Sequence, residues 1–480
     1  MRQLTGMDEF HLMHETPSQH MHTIKIAIVD PAQGDRPITY ASTRESAARR
    51  FLAIPPLRCR LVRIPFGLAR PFWADVGELD LDYHVRRAAV PAPGRDAEFD
   101  EVVSDIANVG LDRSKPLWQL WFVEGLEGGK VALVFKMHHS IADGFASVRI
   151  FEDIFSDAGE SAAGEGATAV SGERIPSRLH LLALGLLSQL RLWAALPRLL
   201  GRTRAAMKAG RERKAAGGEP AVKPLTGPMT RFSRPITPNR VYVNVTLPLN
   251  ELRRLHGELG CTVNDIFVTL CGGALRRYLE KRAELPDEPM TAAMPVSIRR
   301  EDEMESYGNR ISYWYVALGT EADEPLGRLA SVRRSIQAAR EWNQGDLDLP
   351  GDWEDFTWLF VRGFLGLLTF AEHRTGKVTC NATVSNVHGP RPLVYQGAPV
   401  LAVRSMGPIE GSRGINFTAW SYGDDFAIGI QACREHAPDL RELADHLAAE
   451  LVALETVAPP HAPKAPSGTT GPDREARNAQ

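Results

Sequence analysis

Apolar and polar positions along the chain predict two α/β portions separated by a long apolar helix. "HTIKIAIVD" (22–30) alternates with a period of two and reads as a strand. "VALVFKM" (131–137) is an unbroken apolar run, as in a buried strand. "AEFDEVVSDIANVGLD" (97–112) has helical spacing and is expected to end at Gly110. The small, polar stretch 156–173 reads as a flexible surface segment. It leads into "RLHLLALGLLSQLRLWAALPRLLGRTRAAMK" (178–208), which holds eleven leucines and no acidic residue, with Arg191, Arg198 and Arg202 near one helical face. Such a helix either lies in a membrane interface or packs its leucines on a core. Pro197 is expected to kink or divide it.

After the polar stretch 209–238, "RVYVNVTLPL" (240–249) and "FAIGIQA" (426–432) read as strands. "CTVNDIFVTLCGGALRRYLEK" (261–281) reads as a helix with Thr262 and Asp265 spaced as a capping box. "FTWLFVRGFLGLLTF" (356–370), interrupted by Arg362 and two glycines, is expected to be a core helix, with membrane contact as the second reading. The predicted organisation is residues 1–155, a linker 156–238 carrying the helix, a second portion 239–455, and a disordered tail 456–480.

Composition narrows the class without naming a function. Apolar content of 44% and charged content of 24% are ordinary for a globular protein, and a net charge of −3 argues against a nucleic-acid binder driven by overall charge. The five scattered cysteines form no CxxC pair, so neither a disulfide framework nor a zinc site is suggested. No secretory leader is read at the N-terminus, and no stretch reaches the roughly 18 uncharged apolar residues of a span. The expected setting is cytoplasmic.

The apolar run at 131–137 ends in "HHSIADG" (138–144). On a continuing strand, adjacent side chains point to opposite faces, so His138 and His139 are not expected to share one site or one metal. A strand-end histidine suits proton abstraction from a hydroxyl. Asp143 can stiffen the following turn by pairing with an arginine, and Gly144 lets the backbone bend past the ring.

The spelling His138-His139-x-x-x-Asp143-Gly144 resembles the HHxxxDG motif of acyltransferases with the chloramphenicol-acetyltransferase-like fold. Six further segments resemble, in order, the blocks of the bacterial wax ester synthase/diacylglycerol acyltransferase family: 4–22, "PLWQLWFVEGL" (116–126), "VNDIF" (263–267), "PVSIR" (295–299), "GNRIS" (308–312) and "SNVHGP" (385–390). The resemblance implies an α/β fold of two chloramphenicol-acetyltransferase-like, condensation-domain-like subdomains with the active-site channel between them. It implies transfer of a long acyl group from acyl-CoA to diacylglycerol or a fatty alcohol, with no acyl-enzyme, no metal and no bound cofactor. There is no GxSxG elbow, consistent with that route.

Carried over residue by residue, the resemblance makes His139 the general base, with His138 structural or supportive and Asp143 holding the loop. Asn264 becomes a candidate to stabilise the oxyanion or position the donor. Gly144, Asp265, Ser297 and Arg299 become candidate substrate-binding residues. For Asp265 a plain capping role competes, and for Arg299 a pairing with a core carboxylate competes. Pro116, Leu117 and Trp118 are expected to pack the core, and the segment 356–370 to line an acyl tunnel. His388 stands where the family's late block usually has proline, and a surface turn is expected there. Peripheral contact with the inner face of a membrane or with lipid inclusions is the expected partner surface, and no nucleic acid. Two other readings stay open: a condensation or polyketide-associated acyltransferase with a carrier-protein donor, against which stands the absence of an attached carrier segment, and a non-catalytic coat of lipid droplets.

Overall fold

The computed structural model describes residues 1–156, 172–215, 219–304, 306–343, 349–357 and 361–458. Two six-stranded sheets form its frame. The first runs, in spatial order, Val394–Tyr395, Ala398–Met406, His22–Val29, Val131–His138, Trp118–Glu124 and Val85–Ala89. The second runs Ile311–Ala317, Thr291–Ser297, Ala382–Val387, Ile415–Tyr422, Asp425–Cys433 and Arg240–Pro248. Both are mixed: Val85–Ala89 lies parallel to its neighbour, and Ala382–Val387 lies parallel to both of its own.

The strand His22–Val29 is buried along its whole length. Its period of two therefore separates two apolar layers. Ile24, Ile26 and Ile28 pack with Phe99 and Val103 of the helix Asp96–Ala107, while Ala27 and Val29 join the core around Phe151 and Ile154 of the helix Gly144–Phe155. The helix Asp96–Ala107 stops short of the expected Gly110. Lys136 explains this, because its Nζ donates to the carbonyls of Ile106 (2.8 Å) and Val109 and so occupies the end of the helix.

The expected boundary at 239 does not hold for part of the second portion. Val394–Tyr395 and Ala398–Met406 cross over and complete the first sheet, Met406 pairing with Ile24 and Val400 with Val29. Their apolar residues Tyr395, Val400 and Val403 sit in the first core, which gives the crossing its driving force. The sheets meet where this strand passes Asp425–Cys433. A Cβ on Gly429 would stand 1.8 Å from the carbonyl oxygen of Ser405, so only glycine allows that approach.

The long helix Arg178–Ala215 passes through Pro197 without dividing. Leu181 and Leu199 face inward, and Gly185 lies against Ile64. Leu186 and Leu190 on the opposite face are 56% and 68% exposed. By length and composition its stretch Arg178–Arg213 suffices to cross a membrane, which a search for runs without charge missed because Arg191 interrupts it. Of the segment 356–370, expected to be a core helix, 358–360 lie outside the described residues; in the helix Val361–Thr375 Leu367 and Phe370 are about as exposed as the leucines of the long helix, so that end is not core. Of the expected tail, 456 and 457 close the helix Leu440–Val457, and 459–480 lie outside the described residues, as do 157–171 of the linker.

Candidate active site

The strand Val131–His138 carries the two histidines to the end of the first sheet, where His138 pairs with His22 in register. The next peptide still follows the strand, since the His139 amide donates to the carbonyl of Met21 (2.7 Å). Adjacent side chains therefore take opposite faces. His138 is fully buried; its Nδ1 lies 2.8 Å from the Ser140 hydroxyl and its Nε2 3.8 Å from Glu15. The Glu15 carboxylate is itself engaged by Arg113, whose Nε donates to it at 2.6 Å. Burial drives the His138 pKa down to about 3, so this imidazole stays neutral. Of the structural and supportive roles expected for His138, the structural one suits a ring that is fully buried on the far side of the strand.

His139 is half-buried. Burial lowers its pKa, and a hydrogen bond with its own backbone partly opposes the shift. Its Nδ1 is sealed from solvent, and its ring lies 4.3 Å, centroid to centroid, from that of His11. His11 is itself fully buried, and burial holds it well below the usual histidine range. Asn309 ties the segment down: its Nδ2 donates to the His139 carbonyl (2.9 Å) and to Asp8 (2.8 Å) in the helix Gly6–His14.

Asp143 caps the helix Gly144–Phe155 by accepting from the Ala146 amide at 2.9 Å. Its second oxygen accepts from the Arg299 guanidinium and from the Arg310 amide (2.8 Å). Arg299 also donates to the carbonyl of Gly308 at 2.7 Å. Gly308 has φ +92°, a backbone region that glycine occupies without strain. The Asp143 and Arg299 side chains are 1% and 0% exposed. Arg299 is therefore the partner of the motif aspartate, out of reach of a substrate, and it locks the motif turn onto the second sheet.

The remaining expected substrate contacts separate. A Cβ on Gly144 would meet Val387 Cγ2 at 2.7 Å, so glycine at this position accommodates the close approach of the neighbouring subdomain. Asp265 accepts from the Thr262 amide at 2.8 Å and caps its helix, the plain role that competes with substrate binding. Among the described residues Asn264 reaches the thioether of Met294 (3.3 Å) and forms no hydrogen bond with either motif histidine. Ser297 is exposed at the end of its strand, and His388 is exposed on a turn. Leu117 and Trp118 are core, with the Trp118 indole donating to the carbonyl of Leu57 at 2.7 Å. Among the described residues no three metal-ligating side chains converge.

Sequence reasoning missed Asn309, His11 and Lys25. The Gly-Asn block contains Asn309 without assigning it a role, and nothing local marks the other two. Lys25 is buried, donates to the Ser405 hydroxyl at 2.7 Å, and lies 4.8 Å from the centre of the Trp420 ring. Burial lowers its pKa to about 7. Between pH 7 and the ordinary 10.5 the unfolded chain holds a proton that the folded chain does not, so stability rises with pH across that window and the full cost is present below pH 7. Lys25→Met is accordingly expected to stabilise most at pH 7 and below, by about 5 kcal/mol at most, with the gain vanishing toward pH 10.5. Urea denaturation at pH 6, 8 and 10 checks this; a gain that does not vary with pH contradicts it.

Comparison with known proteins bears on the whole chain. Residues 4–267 match the model of the wax ester synthase/diacylglycerol acyltransferase catalytic domain, and 307–455 that of the family's C-terminal domain. A putative diacylglycerol O-acyltransferase of Mycobacterium tuberculosis is 32% identical over 464 residues, covering 95% of this chain and 97% of its own. The structure of the wax ester synthase/diacylglycerol acyltransferase from Marinobacter aquaeolei superposes with a TM-score of 0.66 at 23% identity, covering 95% of this chain and 99% of that one. The first condensation domain of the calcium-dependent antibiotic synthetase shares the fold, with a TM-score of 0.61 at 13% identity and coverage of 95% and 97%.

Proposed function

This chain belongs to the wax ester synthase/diacylglycerol acyltransferase family and is an acyltransferase, and from that premise we propose that His139 is the general base moving a long acyl group from CoA to diacylglycerol or a fatty alcohol. The observation that carries the reading is the half-buried His139 ring: Nδ1 is sealed, which leaves Nε2 as the nitrogen a substrate can reach. The acceptor O–H gives its proton to Nε2 as its oxygen attacks the thioester carbonyl. The tetrahedral intermediate then collapses, the C–S bond breaks, and the CoA thiolate takes the proton back from His139. No acyl-enzyme forms. Asp143 and Arg299 position the turn that carries the base. The Asn264 amide, whose partner among the described residues is a weak thioether acceptor, is the available oxyanion donor.

Palmitoyl-CoA offered separately with hexadecanol and with dioleoylglycerol is expected to release thiol and yield ester with at least one acceptor. Hydrolysis alone, or no product with either, overturns the reading.

The same proposal includes peripheral contact of the long helix with a membrane or lipid inclusion. A helix apolar on both faces has a second apolar environment to find. The outward leucines and Trp193, flanked by Arg191 and Arg198, suit an anionic lipid interface. Replacing Leu186, Leu190 and Trp193 together by serine is expected to cut co-flotation with anionic vesicles by about five-fold or more, with an unchanged melting temperature. Undiminished flotation contradicts it.

A further inference from the structure

A cavity of about 460 Å³ opens beneath the hairpin formed by Cys59–Val62 and Phe72–Asp75. Pro55, Pro56 and Trp73 line it with apolar surface, and so do Ile141 and Tyr307. Those last two residues place it at the chemistry. Ile141 lies two positions beyond His139 in the motif turn, its amide donating to the carbonyl of His138 at 3.0 Å. Tyr307 precedes Gly308, whose carbonyl accepts from Arg299, and Gly308 bridges to Ala142.

We propose that this cavity holds one acyl chain of the acceptor lipid, with the acceptor hydroxyl directed toward His139; the proposal rests on His139 being the site of transfer. Size supports a single chain. At about 30 Å³ for a group the size of water or methylene, 460 Å³ accommodates roughly fifteen such groups, one long hydrocarbon tail. Charge favours the acceptor over the donor. Of the lining carboxylates, Glu173 pairs with the Met1 amine and Asp75 with Arg58, which leaves Arg2 as the one lining cation without an ion-pair partner among the described residues. A single cation is little for a polyanionic CoA, whereas a neutral lipid needs none. Position agrees as well. Glu173 at the rim is followed within six residues by Leu179, the first outward leucine of the long helix, which is 79% exposed.

Two experiments on the full chain test the assignment. A diacylglycerol with a diazirine at mid-chain, irradiated with the protein in vesicles, is expected to label peptides containing 55–59, 73–75, 141 or 306–307, with labelling displaced by dioleoylglycerol and not by palmitoyl-CoA. Labelling elsewhere, no labelling, or displacement by palmitoyl-CoA instead overturns it. Cys59→Phe, which narrows the cavity, is expected to raise KM for dioleoylglycerol at least ten-fold while KM for palmitoyl-CoA stays within two-fold. An unchanged acceptor KM overturns the proposal; should this variant fail to fold, the labelling map decides alone. The two levels of inference separate cleanly. Labelling does not depend on His139 acting as a base, so a still-active His139→Ala would refute the base and leave the cavity standing.

Discussion

Replacing His139 with alanine is expected to reduce acyl transfer by about 10²- to 10⁴-fold, the usual contribution of a positioned general base. The side chain is half-buried and shares only a ring face with His11, so its removal takes away the proton acceptor while the backbone bonds to Met21 and Asn309 stay in place. Circular dichroism and the melting temperature should stay close to those of the parent chain. His138→Ala is expected to behave the other way. It vacates a fully buried position beside Ser140 and Glu15, so the melting temperature should fall, and activity should drop only as far as the fold loosens. Thiol release measured beside a thermal melt for both variants separates the two histidines. Equal losses of activity at equal stability would refute the division of roles.

Arg299→Met is expected to destabilise the chain by about 3–5 kcal/mol, because it strands the Asp143 carboxylate, 1% exposed, without its guanidinium. Two amides still donate to that carboxylate, those of Ala146 and Arg310, and they hold part of the turn but do not neutralise the charge. Activity should fall with stability, since the turn between His139 and the helix Gly144–Phe155 loses its tether to the second sheet. Adding Asp143→Asn removes the stranded charge and keeps a good helix cap, so the double variant should regain more than half of the lost stability. Urea denaturation of the two single variants and the double variant gives the coupling directly. If Arg299→Met is as stable as the parent, the pair is not what locks the turn.

Local chemistry was legible in the sequence to the extent that it was written in neighbouring residues. The strand at 131, the opposite facing of His138 and His139, and the Thr262–Asp265 capping box all follow from periodicity or short spacing, and all appear in the structure. The cap also gives Asp265 a plain role: one oxygen of its carboxylate, within a segment that resembles a family block, is engaged by the start of its own helix. What spacing does not encode is partnership at long range. Arg299 lies 156 positions from Asp143, and only the folded chain reveals that the two are one unit. Asn309 was visible within its block, but its two acceptors come from residues 8 and 139. The exposure of Leu190 and Phe370 was hidden for another reason: an apolar side chain carries no mark of which surface it will face.

The crossing of Ala398–Met406 into the first sheet bears on how the chain is made. During synthesis the strand His22–Val29 emerges early and pairs on one side with Val131–His138, yet its other edge has no neighbour until some 370 further residues have left the ribosome. For that interval the nascent chain presents an unpaired row of amides and carbonyls flanked by Ile24, Ile26 and Ile28, the kind of edge on which chains aggregate. A fragment ending before residue 394 would keep that edge permanently, so the first half with both motif histidines is a poor candidate for expression alone, and a chaperone that shields β edges should raise the yield of the complete chain.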